Sequence, residues 1–146
     1  MIEIFTDGSA RNKRGGWGWI AVLNGKKLCS GHGKCDHVTH QVMEILAVIR
    51  ALETFEETDH KITVYSDSAY VVNCMNDKWY KNWEKNGWMT NDGNEVKNIE
   101  YWERLLVARR KIWVKFKHVK AHQTNSGKLA TYNNFADTLA SRRLKR

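Results

Sequence analysis

Along the 146 residues the spacing of apolar and polar positions changes several times, and each change predicts an element. Residues 2 to 6 (Ile-Glu-Ile-Phe-Thr) alternate as a strand. Residues 17 to 23, the pair Asn24-Gly25 and residues 26 to 33 read as a β-hairpin, because Asn-Gly supplies the positive φ angles of a type I′ turn. The chain is thus expected to open as a three-stranded antiparallel meander. Met43, Leu46, Val48, Ile49, Leu52 and Phe55 then recur at helical spacing, with Thr39 as the N-cap and Val38 and Met43 as a hydrophobic staple. Residues 61 to 66 (Lys-Ile-Thr-Val-Tyr-Ser) form a β-branched strand, followed from Ser68 by a helix carrying Tyr70, Val71, Val72 and Met75. Strand, helix and strand in that order imply a right-handed parallel crossover. Ile99, Trp102, Leu105, Leu106 and Arg109 define a further helix, and residues 112 to 119 alternate as a last strand. Tyr132 to about Leu144 is a basic helix with Phe135, Ala136, Leu139 and Ala140 on one side. The expected class is α/β: a five-stranded mixed sheet, made of the antiparallel meander plus two parallel strands, flanked by helices.

The length suits one domain, residues 1 to 146, and no repeat, Gly/Ser linker or proline marks a boundary. There is no run of about 18 apolar residues, which argues against a membrane-spanning helix. Met1 leads directly into strand-like residues rather than a secretory leader, so the expected setting is cytoplasmic. The three cysteines Cys29, Cys35 and Cys74 fit a reducing compartment better than a disulfide framework. Cys29, His32, Cys35, His37 and His40 do place five possible zinc ligands within twelve residues. A structural zinc site, however, normally ties together ligand pairs from two separated places, and here there is one.

The net charge of +8 adds a polyanionic partner to this picture, nucleic acid or acidic membrane. Its distribution is uneven: residues 1 to 77 carry 8 basic and 10 acidic side chains, residues 78 to 120 carry 11 and 5, and residues 121 to 146 carry 5 and 1. Within the second block, cations alternate with aromatics in Lys78-Trp79-Tyr80-Lys81-Asn82-Trp83-Glu84-Lys85-Asn86-Gly87-Trp88. Trp79 and Trp83, four apart, share a helical face. Two readings stand side by side, a small satellite core and a groove that takes phosphates on cations and flat rings on tryptophans.

The candidate chemistry lies in acids. Asp7 and Asp67 each stand just past a predicted strand, and if those strands are parallel neighbours both carboxylates reach the carboxyl edge where open α/β sheets place their sites. Singly, each has an ordinary reading, Asp7-Gly8 as a turn and Asp67 as a helix opener. Glu44 lies among Val42, Met43, Ile45 and Leu46, and Asp137 lies between Phe135-Ala136 and Leu139-Ala140. Acids in such apolar settings are costly without a cation. Four converging carboxylates make chemical sense with Mg²⁺ or Mn²⁺, hard ions that suit oxygen ligands. Two such ions about 4 Å apart activate water and stabilise the leaving oxygen in phosphodiester hydrolysis.

Thr6-Asp7-Gly8-Ser9, Met43-Glu44, Ser66-Asp67-Ser68, Val119-Lys120-Ala121-His122 and Tyr132-Asn133 through Ala136-Asp137, in that order, resemble the successive signatures of type 1 ribonuclease H. The resemblance runs nearly end to end. It implies a ribonuclease H-like fold and endonucleolytic cutting of the RNA strand of RNA/DNA hybrids, leaving 5′-phosphate and 3′-hydroxyl ends, by a monomer using two Mg²⁺ ions for which Mn²⁺ can substitute. It makes Asp7, Glu44, Asp67 and Asp137 the metal ligands and assigns His122 to proton transfer or product release. Tyr70, Trp79 and Trp83 match an aromatic channel for the DNA strand, which favours the groove reading, and residues 78 to 97 a basic handle. Thr39 and Asn98 match a DNA-phosphate pocket. Asn12, His40, Gln41 and Asn133 complete the expected hybrid contacts, with no separate hybrid-binding domain.

The chain departs from the pattern where His37, His40 and Val42 stand in place of the more usual Arg, Asn and Arg, and where Asn134 replaces a common Glu. The stretch from Gln123 to Thr131 also makes the loop from His122 to Asp137 longer than in many members of that family. Two competing classes remain at this stage. One is a transposase or integrase core, which shares the sheet and an acidic triad; the other is a non-catalytic nucleic-acid-binding module, to which acids beside phosphates would bring nothing.

Overall fold

The computed structural model describes residues 1–90, 92–120 and 128–141, without the side chains of 128–130. Its strands are β1 (Ile2–Arg11), β2 (Arg14–Leu23), β3 (Lys26–Asp36), β4 (Ile62–Ser66) and β5 (Val114–His118). Its helices are α1 (His40–Thr54), α2 (Ala69–Asn76), α3 (Trp79–Lys85), α4 (Ile99–Ala108) and α5 (Lys128–Ser141). The sheet order is β3-β2-β1-β4-β5, with β1, β2 and β3 antiparallel and β4 and β5 parallel to β1. The expected meander and parallel crossover are both present. Among the described residues no helix is long and apolar enough to cross a membrane.

Alternation along the strands divides the interior in two. Ile2, Ile4, Trp17, Trp19, Ala21, Ile62, Val64 and Phe116 join the apolar residues of α1 and α4 in the larger core. Phe5, Ile20, Val22, Tyr65 and Val119 meet Ala136 of α5 in the smaller one. The hairpin turns at Asn24 (φ 53°) and Gly25 (φ 79°), as the Asn-Gly pair predicts. At the start of α1 the Val42 N–H donates to Thr39 Oγ1 at 3.2 Å, confirming Thr39 as the N-cap.

Several boundaries differ from the sequence reading: β2 begins at Arg14 rather than residue 17, and β3 runs on to Asp36 rather than residue 33. β1 continues to Arg11, where Asn12 (φ 53°) and Lys13 (φ 63°) make a tight turn into β2. The small residues Gly8, Ser9 and Ala10 hide this extension, because they break the alternation and Asp-Gly resembles a turn. α5 begins at Lys128, four residues before Tyr132, since Lys, Leu and Ala all favour helix. β5 is shorter than 112 to 119, its ladder with β4 pairing Val114 through His118.

Two glycines set how closely the helices approach the sheet. A Cβ on Gly8 would lie 2.2 Å from the Met43 carbonyl carbon and 2.3 Å from the Glu44 nitrogen. On Gly18 it would lie 2.6 Å from Leu139 Cβ and 2.8 Å from the Ala140 nitrogen. Gly8→Ala is therefore expected to destabilise the protein by about 3 kcal/mol, the upper end of the overpacking range, because backbone cannot rotate aside as a side chain can. Urea denaturation measures it, and a loss below about 0.5 kcal/mol, within the ordinary surface range, would contradict the packing described.

Candidate active site

The parallel pairing of β1 and β4 ends at Thr6 opposite Ser66, so Asp7 and Asp67 are the next residues on two adjacent strands. Asp67 does lie past its strand. Asp7 does not: it stays within β1, paired with Gly18 of β2, and only the parallel ladder stops before it. The backbone at Asp67 is fixed from both sides. Ser66 Oγ accepts from the Ser68 N–H (3.1 Å), Ser68 Oγ caps α2 through the Val71 N–H (3.3 Å), and His118 Nε2 lies 3.1 Å from the Asp67 carbonyl oxygen.

Glu44 enters from the second turn of α1, which Gly8 lets settle onto β1. One carboxylate oxygen from each of Asp7, Glu44 and Asp67 lies within 4.8 Å of the others. Asp137 is half-buried on α5, which Gly18 admits, and its carboxyl shares a hydrogen bond with Asp7. Three of the four acids singled out in the sequence therefore converge, and the fourth, Asp137, joins them through Asp7.

Their electrostatics are those of crowded anions. Asp7, 5% exposed, is pushed up to about 11, first by burial and then by the Glu44 charge, the Asp137 hydrogen bond and the Asp67 charge. Burial also raises Glu44 and Asp67 above the usual carboxylate range. Glu44 is held back chiefly by the hydrogen bond from His40, whose Nε2 lies 3.0 Å from Glu44 Oε1; that bond in turn raises His40. The other oxygen, Oε2, is buried without a hydrogen-bond partner among the described residues. Among the described residues no Lys or Arg pairs with Asp7, Glu44 or Asp67. An all-oxygen, anionic donor set with an orphaned buried oxygen fits a hard divalent cation.

The ribonuclease H family profile matches residues 1–145 of this chain. The chain belongs to the ribonuclease H family. A ribonuclease H of Caldicellulosiruptor saccharolyticus is 39% identical over 147 residues, covering 99% of this chain and 96% of that protein. The PFV RNase H domain, solved in solution, superimposes with a TM-score of 0.82 at 25% identity, covering 96% of this chain and 92% of that one. LC11-RNase H1, solved in complex with an RNA/DNA hybrid, has the same fold at 22% identity with a TM-score of 0.72, covering 97% of this chain and 94% of that one.

The substrate contacts expected from the sequence fall into distinct settings. Tyr70, Asn98 and Trp83 gather around the fully buried Trp102. Its Nε1–H donates to Tyr70 Oη at 3.1 Å, Asn98 Nδ2 donates to the same oxygen at 3.5 Å, and the rings of Trp83 and Trp102 are 5.9 Å apart. Trp79 and Trp88 continue the chain at 6.3 and 6.2 Å from Trp83. Trp79, Trp83 and Trp88 thus pack on one another and against the larger core while remaining partly exposed. Beside them Trp79, Asn82, Trp83, Asn86, Met89, Thr90 and Asp92 line a cleft of about 380 Å³. Residues 78 to 97 contain four basic and three acidic side chains, so rings more than charge distinguish this segment. The positive excess lies further on, with seven basic and no acidic residues from Arg104 to Lys120.

Thr39 and Gln41 are exposed at the start of α1, and Asn12 occupies the β1–β2 turn. His40, expected against the hybrid, has its ring on Glu44. Asn133 is 2% exposed, and its buried Oδ1 has no hydrogen-bond partner among the described residues. His122 lies outside the described residues. Cys29 and Cys35 are free, and among the described residues the acidic trio is the one group of His, Cys, Asp and Glu side chains arranged to hold a metal, so the possible zinc ligands of β3 do not converge. Sequence reasoning missed His118, whose place in an alternating strand shows nothing of the carbonyl it meets.

Tyr70 offers a test of its structural share. Tyr70→Phe strands the buried Trp102 N–H and is expected to cost about 1–3 kcal/mol, measured by urea denaturation. Unchanged stability would show that the Trp102–Tyr70 hydrogen bond adds nothing to folding.

Proposed function

We propose that this protein cuts the RNA strand of RNA/DNA hybrids endonucleolytically, with Asp7, Glu44, Asp67 and Asp137 holding two divalent cations, Mg²⁺ with Mn²⁺ able to substitute. The observation that carries the reading is the convergence of three carboxylate oxygens within 4.8 Å, in a chain of the ribonuclease H family. When bound, such ions supply the positive charge that makes water a nucleophile at neutral pH and steadies the departing oxygen.

The chain's own residues supply position. Asp7, held inside the β1–β2 ladder, interacts with both Glu44 on α1 and Asp137 on α5. Asp67 is fixed by the Ser66 and Ser68 hydrogen bonds around its backbone. In the reaction the water oxygen bonds to phosphorus as the bond from phosphorus to the 3′ oxygen breaks. A proton passes to that oxygen, leaving 3′-hydroxyl and 5′-phosphate ends. His122 is assigned to that proton transfer or to product release. Trp79, Trp83 and the Tyr70–Asn98 pair are assigned the DNA strand. The exposed Gln41 is assigned the minor groove, where the 2′-hydroxyl distinguishes RNA from DNA.

The test is a substrate panel: labelled RNA/DNA hybrid, double-stranded RNA and double-stranded DNA, each incubated with the protein and Mg²⁺. Internal cleavage confined to hybrid RNA is expected. Cleavage of double-stranded DNA, or binding of hybrid without cleavage, would overturn the reading.

A further inference from the structure

The two oxygens of Glu44 are in unequal positions. Oε1 lies 3.0 Å from Nε2 of His40, one helical turn earlier, and the His40 side chain is 63% exposed against 3% for Glu44. Oε2 is buried and has no hydrogen-bond partner among the described residues. An ionised carboxylate only accepts hydrogen bonds, so the pairing places the hydrogen on Nε2 and fixes the ring's tautomer. The local structure makes the contact reproducible, because residues four apart share a helix face and the Thr39 cap holds this end of α1 in place.

We propose that His40 is a positioning residue that restricts Glu44 to one cation-facing oxygen and so makes the acidic cluster select Mg²⁺ or Mn²⁺ over Ca²⁺. The inference rests on the cation-site reading above. Ca²⁺ takes carboxylates through one or both oxygens in a loose shell of six to eight ligands and gains from the bidentate mode, whereas Mg²⁺ demands a compact octahedron and few carboxylates. With Oε1 engaged by the imidazole, Oε2 is the oxygen without a hydrogen-bond partner among the described residues, which suits the smaller ion. Groups that hydrogen-bond to metal ligands typically account for about 10- to 100-fold in metal affinity. His40 is in the position to act this way although it touches the cluster only through Glu44.

The test is calorimetric titration of the EDTA-stripped protein at one pH, with MgCl₂ and separately with CaCl₂, for the wild type, His40→Ala and His40→Gln. His40→Ala is expected to weaken Mg²⁺ binding about tenfold or more and Ca²⁺ binding less, so that the preference for Mg²⁺ narrows. His40→Gln, whose amide N–H can reach the same oxygen, is expected to keep most of the preference. The exposed position of His40 leaves the fold intact, which circular dichroism checks. Unchanged Mg²⁺ and Ca²⁺ affinities in His40→Ala, with the wild type still binding Mg²⁺, would overturn this inference alone. Equal losses in both variants would trace the effect to the ring's bulk and overturn it as well. No Mg²⁺ binding by the wild type would remove the cation site itself.

Discussion

Asp7→Asn is expected to slow RNA cleavage at least about 10³-fold while leaving hybrid binding intact or tighter. The magnitude follows from chemistry: a divalent centre contributes several kcal/mol of charge stabilisation, and about 4 kcal/mol corresponds to a thousandfold in rate. Asp7 is the acid that meets all the others, sharing a hydrogen bond with Asp137 and the fields of Glu44 and Asp67. Asparagine keeps the shape and removes the charge. Binding is spared because hybrid affinity is assigned to the rings of α3 and the basic residues beyond them, and one fewer anion near the phosphates favours the complex. Single-turnover cleavage and hybrid binding in EDTA, measured on the same preparation, separate the two effects. A rate within tenfold of wild type would exclude Asp7 from the reaction.

The same substitution is expected to stabilise the metal-free protein at neutral and alkaline pH. Asp7 is raised from 3.8 to about 11 in the folded state, so above about pH 4 the folded protein retains a proton that the unfolded chain has lost. Stability from this group is fully present below pH 3.8 and declines as pH rises towards the folded value. The slope for one such proton is at most about 1.4 kcal/mol per pH unit. Between pH 5 and 9 in EDTA, the wild-type Tm is therefore expected to fall, and Asp7→Asn to flatten the fall and raise Tm at pH 8. Mg²⁺ should raise the wild-type Tm more than that of the variant, since a ligand stabilises only the state that binds it. A wild-type Tm independent of pH in EDTA would show that Asp7 is not held as described.

Much of this site was legible in the sequence, for identifiable reasons. Asp7 and Asp67 stood out because β-branched and alternating residues mark the strands before them, and Glu44 and Asp137 because an acid amid apolar neighbours needs an explanation. The hairpin was legible because Asn24-Gly25 supplies a turn that few other pairs accept. The continuation of β1 past Asp7 was not, since Gly8 serves the approach of α1 rather than a turn, and spacing alone cannot distinguish the two. Trp79 and Trp83 were placed on one face by their separation, but nothing local foretold that Trp83 rests on Trp102, nineteen positions along the chain. The pairings of His40 with Glu44 and of His118 with the Asp67 carbonyl likewise depend on rotamers and strand order that no local pattern encodes.

The central claim is that the acidic cluster is a divalent-cation centre for hybrid cleavage. Its most direct measurement is the rate at which EDTA-stripped protein cuts labelled hybrid RNA as MgCl₂ is titrated in. No cleavage without the ion and a saturable rise with it, absent in Asp7→Asn, is the expected result; cleavage at full rate in excess EDTA would contradict the account.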